Sequence, residues 1–466
     1  MKGIKKILAL LMAFSLTFNS LSYAAELTSE KAAAKVKVMM DIIMDRYVGE
    51  GSEEISEAEL MDAAIKGMFD ELDVYSEYYN RDEYKKFIES VSGKFGGIGV
   101  YINDNNGAVE VVRPIQGTPG FEAGFAKGDI IIKIEDEDVR GYSINKVVSL
   151  IRGDEGTSVR VTVLRGTEEV EMIVTRAIIS VPAIEVKELS KVLKREVSEE
   201  DTKKIKFIQL IDFNDHINKE LTKVLNESKT DGTEGIIFDV RDNPGGYLVE
   251  VVNILKQLVP EGPIIHTIDK DGNKETRSSY LKNPPFKIVV ITNNASASAS
   301  EIFTAAVKES GVGKVVGETT YGKGVVQEIK VFLTTGDAFK ITMQEYLTRD
   351  ENKINGIGIE PDYKVEVPTY KIREVKRLKL NDKADDVKRI KKMLKYLGYE
   401  ITDDTDVYTK DVLLAIKKFQ KEQGLFPYGV ADFSTQSKLN TVVRDKIKEK
   451  DIQAEKAYEV MKDMLK

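Results

Sequence analysis

The chain has no cysteine and only two histidines, His216 and His266, in 466 residues. Without cysteine there can be no disulfides, so stability outside a cell would have to come from packing and domain contacts. A lipid-modified cysteine at a leader cleavage site is excluded for the same reason. Histidine is scarce, and neither copy lies in a strand-end motif, so a serine nucleophile would need another base. Long apolar runs are also missing: Ile7 to Phe18 falls short of the roughly 20 residues of a spanning helix, and no other run is long enough. Positive charge is in deficit. The net charge is −8, and removing a leader that carries Lys2, Lys5 and Lys6 makes it −11. A protein this acidic is a poor general binder of nucleic acid or anionic membrane, and no nucleic-acid partner is expected. No metal-ligand spacing is present, so neither metal nor cofactor is expected.

The N-terminus reads as a secretory leader. Lys2, Lys5 and Lys6 are its basic part and Ile7 to Phe18 its apolar part. Ser22-Tyr23-Ala24 offers small residues for cleavage after Ala24, which makes 1–24 a signal peptide; an uncleaved membrane anchor is the alternative. The chain is too long for one core, so several domains are expected. Residues 25–92 form a helical region. Val36, Met39, Met40, Ile43 and Met44, and then Met61, Ala64, Ile65, Met68 and Phe69, recur at helical spacing, which points to packing or dimerisation. From Gly93 to about 180, β-branched runs alternate with turns, and one helix carries Ile144, Val147, Val148 and Ile151 on a face. That pattern is a small barrel-like domain.

Residues 181–370 alternate strands and helices, as in a layered α/β fold whose functional loops sit at strand ends. Residues 371–440 hold two helical stripes and a short third helix at Thr435 to Leu439. Residues 441–466 read as one charged terminal helix.

The chemistry gathers in the α/β region. Ser296-Ala-Ser-Ala-Ser300-Glu301-Ile302 lies between a buried strand and a helix, and Tyr321-Gly-Lys323-Gly-Val-Val-Gln327 follows. A lysine can activate a serine if its amine is neutral, and burial favours the neutral form. Gln327 can hold that amine without adding charge, whereas a nearby carboxylate would oppose catalysis, so Glu301 and Glu318 should make other bonds. The amide after a nucleophile can meet a developing oxyanion. The turn Asp239-Val-Arg-Asp-Asn243-Pro-Gly245-Gly246 exposes a second backbone donor.

These motifs resemble the bacterial C-terminal processing peptidases, or tail-specific proteases, from about residue 30 to 368. DVRDNPGG, SASASEI, VVGETTYGKGVVQ and IGIEPD each stand where the family has its pattern. The resemblance implies Ser298 as nucleophile, Lys323 as general base and Gln327 as its orienting partner. It implies the amides of Ala299 and Gly245 as the oxyanion hole, with Gly246 as second choice. The implied fold class is multidomain α/β, with a crotonase-like and ClpP-like layered core. Asp73-Val-Tyr-Ser76 lacks the family's proline, and the lysine that opens the family's K-G-I-x-P-D is replaced by Ile357.

Residues 93–180 resemble a PDZ domain, with Phe95, Gly96, Gly97, Ile98 and Gly99 as the loop that receives a C-terminal carboxylate before strand addition. Residues 378–440 resemble a peptidoglycan-binding domain with altered turns, its alternative being a three-helix packing module. The resulting expectation is an extracytoplasmic, homodimeric serine endopeptidase that acts on proteins with accessible C-terminal tails, with peptidoglycan as a further partner. A non-catalytic PDZ and cell-wall scaffold and a crotonase-like acyl-thioester enzyme are the rivals.

Overall fold

A computed structural model describes residues 28–48, 55–105, 107–368, 372 and 376–466. The proposed leader lies outside these. Among the described residues no helix is long and apolar enough to cross a membrane. The described residues divide into two compact units, one drawn from 28–84 and 327–342, the other from 85–326 and 343–466.

In the first unit, helices Ser29–Arg46 and Glu57–Asp70 start at side-chain caps. Ser56 and Glu59 form a reciprocal capping box, which satisfies donors the helix leaves open. Strand Glu77–Tyr79 pairs antiparallel with 338–340. The Tyr78 hydroxyl donates within a pair of carboxylates, Asp62 at 2.9 Å and Asp337 at 2.8 Å. Met39, Met61 and Met68 stay exposed. These three methionines are therefore not core residues within the described chain.

Among its described residues the second unit holds four buried apolar clusters. A five-strand path, 100–105, 108–114, 130–134, 158–165 and 168–175, packs on helix Ile144–Ile151 around Val111, Val147, Val161 and Val163. Lys94–Gly97 and Ala177–Ser180 pair with each other at the ends of this domain. The main sheet runs in the order 184–187, 205–210, 235–239, 287–292, 313–317 and 363–364, parallel except for its first pair. Parallel strands must be covered on both faces, and their unbroken apolar runs (Gly235–Asp239, Lys287–Thr292) reflect that. Helices Ile217–Ser228, Leu248–Leu255 and Ala299–Glu309 cover one face, and Ile264, Ile265 and Tyr346 of a second, antiparallel sheet join the same core.

The other face is covered from the far end of the chain. Ala454, Ala457, Tyr458, Val460 and Met461 of helix Ile452–Met464 pack on Ile237, Val289, Ile291 and Val316. Between the last sheet strand and this helix stands a three-helix module, Asp385–Leu397, Lys410–Glu422 and Phe433–Glu449, around Ile390, Leu394, Ile416, Phe419 and Leu439. Two expectations are corrected here. The third helix does not end at Leu439, because Val443 continues its buried stripe, so a boundary at 440 falls inside a helix. The terminal segment is also two helices, since Asp451 caps a new one by accepting from Ala454 N at 3.0 Å. Its many charges mask an apolar face at helical spacing.

Met461 is fully buried, and its sulfur sits where any side chain on Gly235 would be. Met461→Ala should cost about 2–4 kcal/mol. Faster amide exchange in strand Lys287–Thr292 would report it; unchanged exchange there would mean that the helix adds nothing to the sheet.

Candidate active site

Strand Lys287–Thr292 ends in a turn that leads into helix Ala299–Glu309, and its polar side chains stitch it to the neighbouring turn after strand Gly235–Asp239. Asn293 Oδ1 accepts from Asp242 N at 3.0 Å and Asn293 Nδ2 donates to Asp242 Oδ1 at 2.9 Å. Ser296 Oγ donates to Val240 O, and Ser300 Oγ to Asn243 O. Both serines are fully buried, so their hydroxyls serve the backbone. Ser298 stands between them, half-buried, at φ 55° and ψ −114°. A non-glycine residue at positive φ stores strain that the surroundings must hold in place.

Gly245 shows how closely the two turns approach. A Cβ there would lie 2.8 Å from Ser298 Cβ and 2.9 Å from Ala299 N, at φ +113°. Only glycine fits. Ser298, Ala299 and Gly245 are thus side by side. The Gly245 N–H donates to Asn243 Oδ1 at 2.9 Å, so an oxyanion would have to compete for it. Gly246 is held against Phe213, whose carbonyl a Cβ would approach to 2.4 Å.

Lys323 is half-buried between two glycines that pack on the 354–358 turn. Gly324 N donates to Asn355 Oδ1 at 3.1 Å, and a Cβ on Gly322 would lie 2.9 Å from Ile357 N. What joins this loop to the serine turn is Glu301. Its Oε2 accepts from Ser298 N and from Lys323 N, each at 2.8 Å, so the two backbone nitrogens lie within twice that distance. Its Oε1 accepts from Gly322 N at 2.7 Å and Thr320 Oγ1 at 2.6 Å. Tyr346 adds a second link, its hydroxyl lying between the carbonyls of Lys323 and Ser298. Burial pushes the Glu301 carboxyl above its ordinary value, against the pull of these four donors.

The sequence asks only that Glu301 and Glu318 make other bonds. Glu301 does so by organising the site, and Glu318 accepts from Val367 N at 2.8 Å. A signal for Glu301 was present, since a serine followed three residues later by a glutamate is a helix-start pattern. Gln327 belongs to the first unit, where its Nε2 donates to Thr342 Oγ1 at 3.2 Å. His266 is buried against Thr276 and Arg349, and His216 pairs with Asp215. Among the described residues no group of three or more His, Asp or Glu could hold a metal ion.

In the small domain, Phe95, Gly97, Ile98 and Gly99 line an apolar cavity of about 120 Å³ with Ile151 and Arg152. The Arg152 guanidinium lies 4.0 Å over the Phe95 ring. Gly96 does not line the cavity: it packs on the Gly153 carbonyl, where a Cβ would come to 1.9 Å.

Three family profiles match the chain: peptidase family S41 over residues 204–365, a PDZ domain over 110–165 and a putative peptidoglycan binding domain over 383–439. The carboxy-terminal processing protease CtpA of Bacillus subtilis (strain 168) is 34% identical over 411 residues, which cover 86% of this chain and 85% of that protein. This chain belongs to the C-terminal processing proteases of peptidase family S41. A probable CtpA-like serine protease of Staphylococcus haemolyticus (strain JCSC1435) is 34% identical over 401 residues, covering 84% of this protease and 78% of that one. The photosystem II D1 C-terminal processing protease, a solved structure, is 24% identical, with 73% of this protease and 95% of that chain covered at a TM-score of 0.43. The protease is a multidomain α/β serine peptidase. Its Phe95–Gly99 stretch precedes the PDZ match, and the module match ends before Asp451.

Glu301→Gln preserves shape but turns one acceptor into a donor facing N–H groups. We expect kcat on an unstructured protein to fall about 10- to 100-fold with circular dichroism unchanged. The pH dependence of stability follows from the raised pKa. The folded form binds this proton more tightly than the unfolded form, so the parent loses stability relative to Glu301→Gln as pH rises above the ordinary value of 4.5. A parent that gained relative to the variant over that range would reverse the assignment.

Proposed function

We propose that Ser298 is the nucleophile and Lys323 the general base of this C-terminal processing protease. The observation that carries the reading is Glu301, whose single oxygen receives the backbone N–H of both residues while the hydroxyls of Ser296 and Ser300 are committed elsewhere. Ser298 Oγ attacks the scissile carbonyl and its proton passes to the neutral Lys323 amine. The Ala299 amide, with that of Gly245 or Gly246, meets the oxyanion. The protonated lysine then gives its proton to the leaving amine, and water hydrolyses the acyl-enzyme with the same lysine as base. Gln327 is proposed, on the family resemblance, as the group that orients the lysine.

The substrate is a protein whose C-terminal tail enters the small domain. The apolar cavity beside Ile98 and Gly99 suits a small or apolar last side chain, and backbone amides of the 95–99 loop suit its carboxylate. A leader at 1–24 would carry the protease out of the cytoplasm, where the module over 383–439 would meet peptidoglycan. The exposed methionine stripes of the first unit suit a homodimer contact.

Ser298→Ala and Lys323→Ala should each lower cleavage of casein by about 10³-fold or more without unfolding the protein. Persistent cleavage by Ser298→Ala would discard the mechanism. A peptide substrate amidated at its C-terminus should be cleaved about tenfold less efficiently than the free acid, the worth of a charge-assisted hydrogen bond. Equal rates would remove tail capture from the reading.

A further inference from the structure

The chain reaches the helix that completes its catalytic sheet only after passing through the module at 383–439. The first residue of that return, Asp451, does more than cap the helix. Its Oδ1 and Oδ2 accept from Arg241 Nη1 at 3.0 Å and Nη2 at 2.7 Å. The same guanidinium donates to Asp239 through Nε at 2.8 Å and Nη2 at 2.6 Å. Gln453 Oε1 takes Arg241 Nη1 at 3.1 Å, and Gln453 Nε2 donates to Val365 O at 2.8 Å. One planar cation is therefore held between a carboxylate of the sheet and one of the terminal helix, a bidentate geometry that fixes orientation as well as distance.

Arg241 lies within the turn that holds the nucleophile loop. On one side, Val240 O receives Ser296 Oγ. On the other, Asp242, itself at φ 60°, exchanges two hydrogen bonds with Asn293, and Asn243 O receives Ala297 N and Ser300 Oγ. Asn243 Oδ1 then holds the Gly245 amide. A shift of Arg241 would be felt at each of these bonds.

We infer that Asp451 is a positioning residue of the peptidase, acting through Arg241 to set the turn that carries Gly245 and the loop that carries Ser298. The active site thus depends on chain that lies beyond the peptidoglycan-binding-like module, and that module is an insertion tethered to the catalytic sheet at both ends. The inference rests on the peptidase reading of the 298 loop.

A cavity of about 870 Å³ adjoins the clamp, bounded by Asp239, Arg241, Asn293, Tyr396, Lys450 and Gln453. It gives a small carboxylate access to Arg241 once the Asp451 side chain is removed, and that makes chemical rescue the test. The full-length protein carrying Asp451→Ala should show kcat on a peptide substrate reduced about tenfold or more, with KM changed by less than about threefold. Added formate, and separately Asp451→Glu, should restore part of kcat. Glu455→Gln is the control, because Glu455 docks the same helix by a bidentate pair with Arg195 that touches no part of the turn. It should keep the parent kcat. The inference is overturned if Asp451→Ala keeps kcat within about twofold of the parent. It is equally overturned if the loss resists both formate and Asp451→Glu, or if Glu455→Gln loses as much. Should Ser298→Ala cleave as fast as the parent, the nucleophile assignment falls, while the Asp451 comparison, read against the parent's own kcat, still stands.

Discussion

A carboxylate removed from water must be met by donors on every side or it will not stay charged. Glu301 is fully buried, and four donors meet it, from Ser298, Thr320, Gly322 and Lys323. Three of those are backbone amides from two loops distant in sequence. The desolvation cost is thereby converted into geometry: neither loop can drift without leaving a buried charge unsatisfied. The same bond also holds Ser298 at positive φ, a conformation its own backbone would not choose. Tyr346 repeats the link on the carbonyl side. The proposed reactive residues, Ser298 and Lys323, are positioned through their backbones.

The sheet beneath imposes a second constraint. A parallel sheet exposes apolar side chains on both faces, and helices must cover each. Here the local βα connections supply one face, and the last helix supplies much of the other. The module is consequently an excursion between two pieces of one core. Such an insertion is anchored by two chain crossings, so its orientation is far less free than that of a domain at the end of a linker. The clamp of Asp239, Arg241 and Asp451 lies where the return crossing meets the sheet.

The module's altered turns are consistent with this architectural role. Their acids are occupied internally. The buried Lys391 amine pairs with Asp403 and also reaches Thr405. Asp411 accepts from both N and Oγ1 of Thr402 at 2.8 Å, and Asp432 caps the third helix through Thr435 N at 2.8 Å. Lys391 and the Thr405 hydroxyl hold the Asp403 carboxyl down at about 2, so that carboxylate stays charged well below neutral pH. Loops held this way owe their shape to the chain's own ions and need no ligand to form.

Much of this was legible in the sequence because the site is made of backbone. Turns that approach within a few ångströms tolerate only small residues, and Gly245, Gly322 and Gly324 stand out for that reason. Among such residues Lys323 is conspicuous, while the choice of Ser298 over Ser296 and Ser300 came from the family resemblance. The alternation of strands and helices was equally plain, since buried parallel strands leave unbroken apolar runs. What escaped was long-range. Glu301 looked like a charge to be kept away from the lysine, because a sequence shows a charge but not the donors that fold around it. The terminal segment read as one charged helix carrying Ile447, Ile452, Val460, Met461 and Leu465, with nothing in the sequence to say which distant element they would meet. Periodicity reports which face of an element is apolar; it is silent on which distant element will cover it, and the two features this site leans on most, a buried acid and a returning helix, are both of that kind.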